Sequence, residues 1–168
     1  MPKKLGRPTD QRMAMLKNQV SELLWNGQIE TTVDRAKSVR RIAEKLLTVA
    51  IKTYNDEVKV TKNVKNAKGD VVAQEFTNDG PKKLAARRRL MAELRDLQEI
   101  RGEKEKKENF TARVKDIKHP LIEKIFNEYA PKYAARKEEL GQGGGYTRIV
   151  KLGQRRGDAA EVVILQLI

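Results

Sequence analysis

The residues of this chain whose types and spacing could do chemistry are cations. Lys37, Arg41, Lys45 and Lys52 recur at intervals of four, four and seven. On a helix that spacing places all four on one ridge, where they can meet successive phosphates of a polyanion. A solvated helix surface normally interleaves acids, and here only Asp34 and Glu44 do so. Two more clusters flank this segment: Lys3, Lys4, Arg7 and Arg12 near the start, and Arg148, Lys151, Arg155 and Arg156 near the end. A flexible basic arm beside a rigid basic face can bind folded RNA or duplex DNA. Charge alone does not separate those two.

Other chemistries have less material. Gly141, Gly143, Gly144 and Gly145 invite a phosphate-loop reading, but such a loop needs Lys-Ser or Lys-Thr at the opening of a helix. Here Tyr146-Thr147-Arg148 starts a strand instead. The glycines then either let backbone lie close to another surface or turn the chain. There is no cysteine, and His119 is the one histidine, placed before a proline where a cap or a solvent-facing role is the simpler reading. Glu138, Glu139 and Asp158 sit beside basic residues, so charge balance accounts for them. Tyr146 stays open between base stacking beside a phosphate contact and packing on a sheet.

The composition agrees. In 168 residues, 36 Lys and Arg outweigh 23 Asp and Glu for a net charge of +13. Residues 1–54 carry 11 basic and 5 acidic groups, residues 55–110 carry 14 and 11, and residues 111–168 carry 11 and 7. The middle is densely charged yet nearly balanced, so the positive field belongs mainly to the flanks. Such a surplus raises self-repulsion unless an anion neutralises it. No apolar run approaches the ~18 residues needed to span a membrane. The expectation is a cytoplasmic protein without metal, cofactor or small-molecule substrate, and not an enzyme.

These clusters need elements to hold them. Residues 1–8, with Gly6 and Pro8 as breakers, read as an extended arm before one domain over 9–168. Thr9 can cap a helix whose apolar positions are Met13, Leu16, Val20, Leu23 and Leu24, stopped at Asn26-Gly27. A strand over Gln28 to Thr31 follows, and Thr31 with Asp34 can cap a second helix. Its apolar stripe is Ala36, Val39, Ala43, Leu46, Leu47 and Ala50, opposite the cationic ridge. Residues 57–76 alternate as a β-hairpin turning at Lys68-Gly69. A third helix follows Asp79-Gly80-Pro81 and carries the triplet Arg87, Arg88 and Arg89. A fourth begins after His119-Pro120, is interrupted at Pro131 and resumes through Tyr133 to Leu140. Tyr146 to Leu152 is a strand, and Glu161 to Ile168 is apolar enough for a central strand buried on both faces. The expectation is an α+β fold, about four helices on a small mixed three-stranded sheet with an inserted β-hairpin.

Several segments together resemble one family. LGRPTDQRMAMLKNQVSELL, GQIETTVDRAKSVRRIAEKLLTVA, IFNEYAPKYAAR and GGYTRIVKLGQRRGDAAEVVI, in that order, are similar to the bacterial large-subunit ribosomal protein seventeen family. The likeness covers residues 5–54 and 119–168. It implies a structural, non-catalytic protein that binds 23S rRNA beside neighbouring large-subunit proteins. Carried over by position, the implied RNA contacts are Arg7, Arg12, Lys17, Thr31, Thr32, Lys37, Arg40, Arg41, Tyr146, Thr147, Arg148, Lys151, Arg155 and Arg156. Lys3, Lys4 and Lys45 join them from the basic clusters. Segments at about 55–79 and 96–117 look like insertions. Their near-neutral charge fits a protein contact or a solvent-facing extension better than a second RNA site.

Overall fold

The apolar stripe of the second helix explains most of the architecture. The computed structural model describes residues 3–65, 71–115 and 117–168. Helix α2 (Val33–Thr53) buries Ala36, Val39, Ala43, Leu46, Leu47 and Ala50, and packs against α1 (Thr9–Asn26), α3 (Pro81–Glu93) and the sheet. Three of those six are alanines, which let neighbouring elements approach closely. Helix α1 contributes Leu16, Val20, Leu23 and Leu24, and each fully buried leucine is worth about 1.5–3 kcal/mol. Met13, expected in that stripe, is 38% exposed and stands off the core.

Both helix starts differ from expectation. Pro8 occupies the cap position of α1 and Thr9 is already helical, with no side-chain cap bond. For α2 the cap residue is Thr32, again without a side-chain bond, while Thr31 lies in β1 (Gln28–Thr32). The stop at Gly27 is as read: its φ of 80° is the left-handed conformation glycine tolerates, and its N–H donates to Leu23 O at 2.8 Å.

The main sheet has the order β1-β5-β4, with β4 at Thr147–Gln154 and β5 at Glu161–Leu167. The expected mixed sheet is corrected in one respect: both of its ladders are antiparallel. The central strand β5 buries Val163 and Leu165 against the helices, but Val162 and Ile164 on its other face are only half-buried. It is central without being covered twice, because the helices lie on one side. A bulge between Lys151 and Gly153 shifts the β4 register.

The hairpin is present as β2 (Glu57–Lys65) and β3 (Val71–Asp79), in a separate sheet; its expected turn lies outside the described residues. Its root is clamped to α3. The Asp56 carboxylate accepts the N–H of Lys82 at 2.7 Å and of Lys83 at 3.2 Å, satisfying two free amides of the helix start. A Cβ on Gly80 would sit 2.5 Å from that carboxyl group and push it off the helix start. Lys83, 7% exposed, pairs with Glu57 at 2.6 Å and Asp79 at 3.5 Å, while Arg87 bridges Asp79 and Glu123. Burial works against the Asp79 carboxylate, yet Arg87 and Lys83 outweigh it and hold the group below its usual pKa.

The charged stretch after α3 pairs part of its own charge. It contains α4 (Lys107–Val114), none of whose residues is buried, and Arg113 pairs with Glu99 and Glu105 and lies over the Phe110 ring. The last helical rod does not break at Pro131. It runs from α5 (Pro120–Lys124) through a π-turn (Ile125–Tyr129) into α6 (Ala130–Leu140), with the Ala130 N–H donating to Ile125 O. Proline lacks an N–H and crowds the carbonyl four residues back, and the wider π-turn absorbs that conflict.

Candidate nucleic-acid interface

Helix α2 turns its alanine and leucine stripe inward, so the opposite ridge reaches solvent. Lys37, Arg41 and Lys45 are exposed, and none has an acid within ion-pair reach among the described residues. Successive members rise about 6 Å along the helix axis. Lys52 is exposed in the last turn of the helix.

Arg41 and Lys45 line a groove of about 490 Å³ with Arg89 of α3 and Gly144. Arg41 also borders a second cleft with Lys3, Arg12 and Lys37. Arm, α1, ridge, α3 and glycine loop therefore share one cationic surface that pivots on Arg41. The glycines turn the chain: Gly144 and Gly145 have φ of 100° and 61°, and nothing lies within 4 Å of a Cβ built on either. Arg89 was not among the expected contacts. The Arg87–Arg89 triplet was its signal, and the helix sorts that triplet, turning Arg87 to Asp79 and Glu123 and leaving Arg89 exposed.

Other expected residues have internal partners. Lys17 donates to Ala92 O at 3.0 Å and pairs with Glu93 at 3.3 Å, tying α1 to the end of α3. Arg40 pairs with Glu44 at 3.1 Å, and the same carboxylate accepts from Thr147 Oγ1 at 2.8 Å, which ties β4 to α2. Thr31 is buried and its Oγ1 accepts from Gln19 Nε2 at 3.2 Å. Lys3 pairs with Asp34 at 2.6 Å, whereas Lys4 and Arg7 are exposed without an acid partner among the described residues.

Tyr146 resolves towards packing. It is 5% exposed, and its ring lies 4.8 Å from that of Tyr133, which in turn sits 6.4 Å from Tyr129. The ring is committed inside the protein, although the residue borders the α2 groove. Burial pushes the Tyr133 phenol up to about 12, above its ordinary value near 10. An unfolded chain releases that proton near pH 10 while the folded chain keeps it. The contribution to stability is thus complete below about pH 10 and is lost as pH climbs towards about 12. Urea unfolding across pH 9–12 should fall less steeply for Tyr133→Phe than for the wild type; equal slopes would refute the assignment.

The terminal hairpin forms a separate basic region. Arg148, Lys151 and Arg156 are exposed, and Arg155 makes a bidentate pair with Asp158 at 2.7 Å for both contacts. The guanidinium, helped by the Ala160 N–H, draws the Asp158 carboxyl down to about 2. Arg155 also borders a hollow with Thr32, Glu30 and Arg35, apart from the α2 groove. Arg35, like Arg89, was not among the expected contacts; it lies one residue after Asp34 and off the four-residue ridge.

Comparison with known proteins gives this surface a context. The family model described as Ribosomal protein L17 matches residues 15–168. The chain is 40% identical to the large ribosomal subunit protein bL17 of Lachnospira eligens over 185 aligned positions, covering 99% of this chain and 98% of the relative. The protein of the same name from Acetivibrio thermocellus is also 40% identical, with the same coverage, and that from Clostridium tetani is 37% identical over 99% of this chain and 96% of its own length. Both long segments, at 55–79 and 96–117, fall within these aligned regions. With the model matching the last two-thirds of α1 and everything after it, the chain belongs to the ribosomal protein L17 family.

Proposed function

We propose that this chain is a structural constituent of the large ribosomal subunit that binds 23S rRNA through its basic surface and supports subunit assembly. The observation that carries this reading is a set of exposed cations without an acid partner among the described residues: Arg41 and Lys45 of α2 line one groove with Arg89 of α3, and Lys37 borders the adjoining cleft. Neutralising phosphates releases counterions and so drives binding without a catalytic step. The chain is not an enzyme; it acts by holding RNA segments at fixed spacing. Residues 1–8 serve as an arm on a single domain, and the chain resides in the cytoplasm with the subunit. The terminal cations Arg148, Lys151 and Arg156 engage a second stretch of RNA. The hairpin contacts a neighbouring ribosomal protein through Val58, Val60, Val64 and Phe76, which share one face and are at least partly exposed.

Sucrose-gradient fractionation of native lysate tests the reading. The chain should travel with large subunits at low and moderate salt and be released as salt rises. Absence from those fractions at low salt would refute it.

A further inference from the structure

The cationic surface contains an apolar interruption that phosphate contact leaves unexplained. Between α1 and α2 lies a cleft of about 430 Å³ whose floor is Met13, Leu16 and Ile42. Its rim carries Arg12, Lys37 and Arg41, and the Lys3–Asp34 pair closes one side. Met13 is the one member of the α1 stripe that leaves the core for this position, and Ile42 sits half-buried one residue beyond Arg41. Apolar surface gains nothing from a phosphate group, while the surrounding cations disfavour a purely apolar occupant. An unpaired nucleotide meets both demands, with a flat ring below and charge above.

We infer that this cleft takes one base extruded from the bound RNA, seated against Met13 and Ile42 with its flanking phosphates on Lys37, Arg41 and Arg12. The inference rests on the RNA-binding reading and adds a ligand and a place. The volume lies within the range of about 300–1,000 Å³ typical of sites that enclose small organic groups. Thioether sulfur makes favourable contacts with aromatic rings, and aromatic or apolar platforms accept any base by its face. The charge complementarity favours RNA over an apolar peptide: the one acid on the rim, Asp34, is already paired with Lys3.

The test uses the full chain and two RNA hairpins of equal length, one fully paired and one carrying a single bulged 4-thiouridine. The bulged probe should bind about five- to tenfold more tightly, and irradiation should join the thiouridine to the peptide holding Met13 or Ile42. Met13→Ser should erase most of that preference while leaving affinity for the paired hairpin unchanged; Met13 is exposed enough for the fold to tolerate it. Equal affinities with adducts confined to other peptides, in a chain that still travels with large subunits, would overturn the cleft assignment alone. If neither hairpin binds and the chain is missing from large subunits, the RNA-binding reading falls with it. An acidic segment of a neighbouring protein cross-linked at Met13 in purified subunits, with no nucleotide adduct there, would also overturn it.

Discussion

Reversing Arg41 and Lys45 together to Glu should lower affinity for large-subunit RNA on the order of 100-fold near 0.1 M salt. It should also make the slope of log affinity against log salt shallower by about 2. Both side chains are exposed and have no acid partner in reach among the described residues, so the folded chain loses no ion pair described there. Their burial-free position limits the stability change to about 0.5 kcal/mol either way. The double variant should therefore keep its unfolding midpoint and far-ultraviolet circular dichroism while failing to enter subunits. Arg87→Ala is the matched control, because its guanidinium is committed to Asp79 and Glu123. That change should weaken the fold and leave the salt slope alone. Normal incorporation of the double variant at wild-type salt dependence would remove the α2 ridge from the interface.

The contrast between Arg41 and Arg87 shows what could be read from sequence and what could not. The stripe from Ala36 to Ala50 and the ridge from Lys37 to Lys45 are two sides of one helical period, so finding either locates the other. The α+β fold, the inserted hairpin and the stop at Gly27 follow from equally local signals. Partners distant in sequence leave no such trace. Lys17 meets Ala92 and Glu93 across the core, and Thr147 meets Glu44 across 103 residues, so counting charge or polarity near each one overstates its availability. The near-neutral segments have the same logic in reverse. Glu57 and Asp79 hold Lys83 and Arg87 of α3, and Glu99 and Glu105 hold Arg113, so part of the acid there is committed to specific pairs, while residues such as Lys62, Lys104 and Lys107 stay exposed. Pro131 misleads for a different reason: a break is the usual result of an internal proline, and a π-turn repairs it only where the surrounding core keeps the rod in place.

Tyr146 makes the sharpest test of these distinctions, because its neighbours Gly145, Thr147 and Arg148 gave it the sequence context of an RNA-stacking residue. Its ring instead completes a row with Tyr133 and Tyr129 that joins β4 to the last helical rod, and the Ile168 N–H donates to its carbonyl at 3.1 Å. Removing such a ring opens a cavity in a core that relaxes only partly, so Tyr146→Ala should cost about 3–5 kcal/mol. That is a large fraction of the roughly 5–15 kcal/mol available to a domain, and urea unfolding would read it directly. Tyr146→Phe keeps the ring in place and should stay within about 1 kcal/mol of the wild type. The effect on RNA binding separates the two roles. Under conditions where Tyr146→Ala remains folded, its RNA affinity should match that of Tyr146→Phe, since the ring faces Tyr133 rather than solvent. The alternative has the opposite signature: nearly unchanged stability for the alanine variant and a several-fold loss of RNA affinity. The glycines before Tyr146 would then be presenting a base platform. In the packing arrangement they turn the chain so that Gly144 and Tyr146 both border the groove while the Tyr146 ring packs on Tyr133.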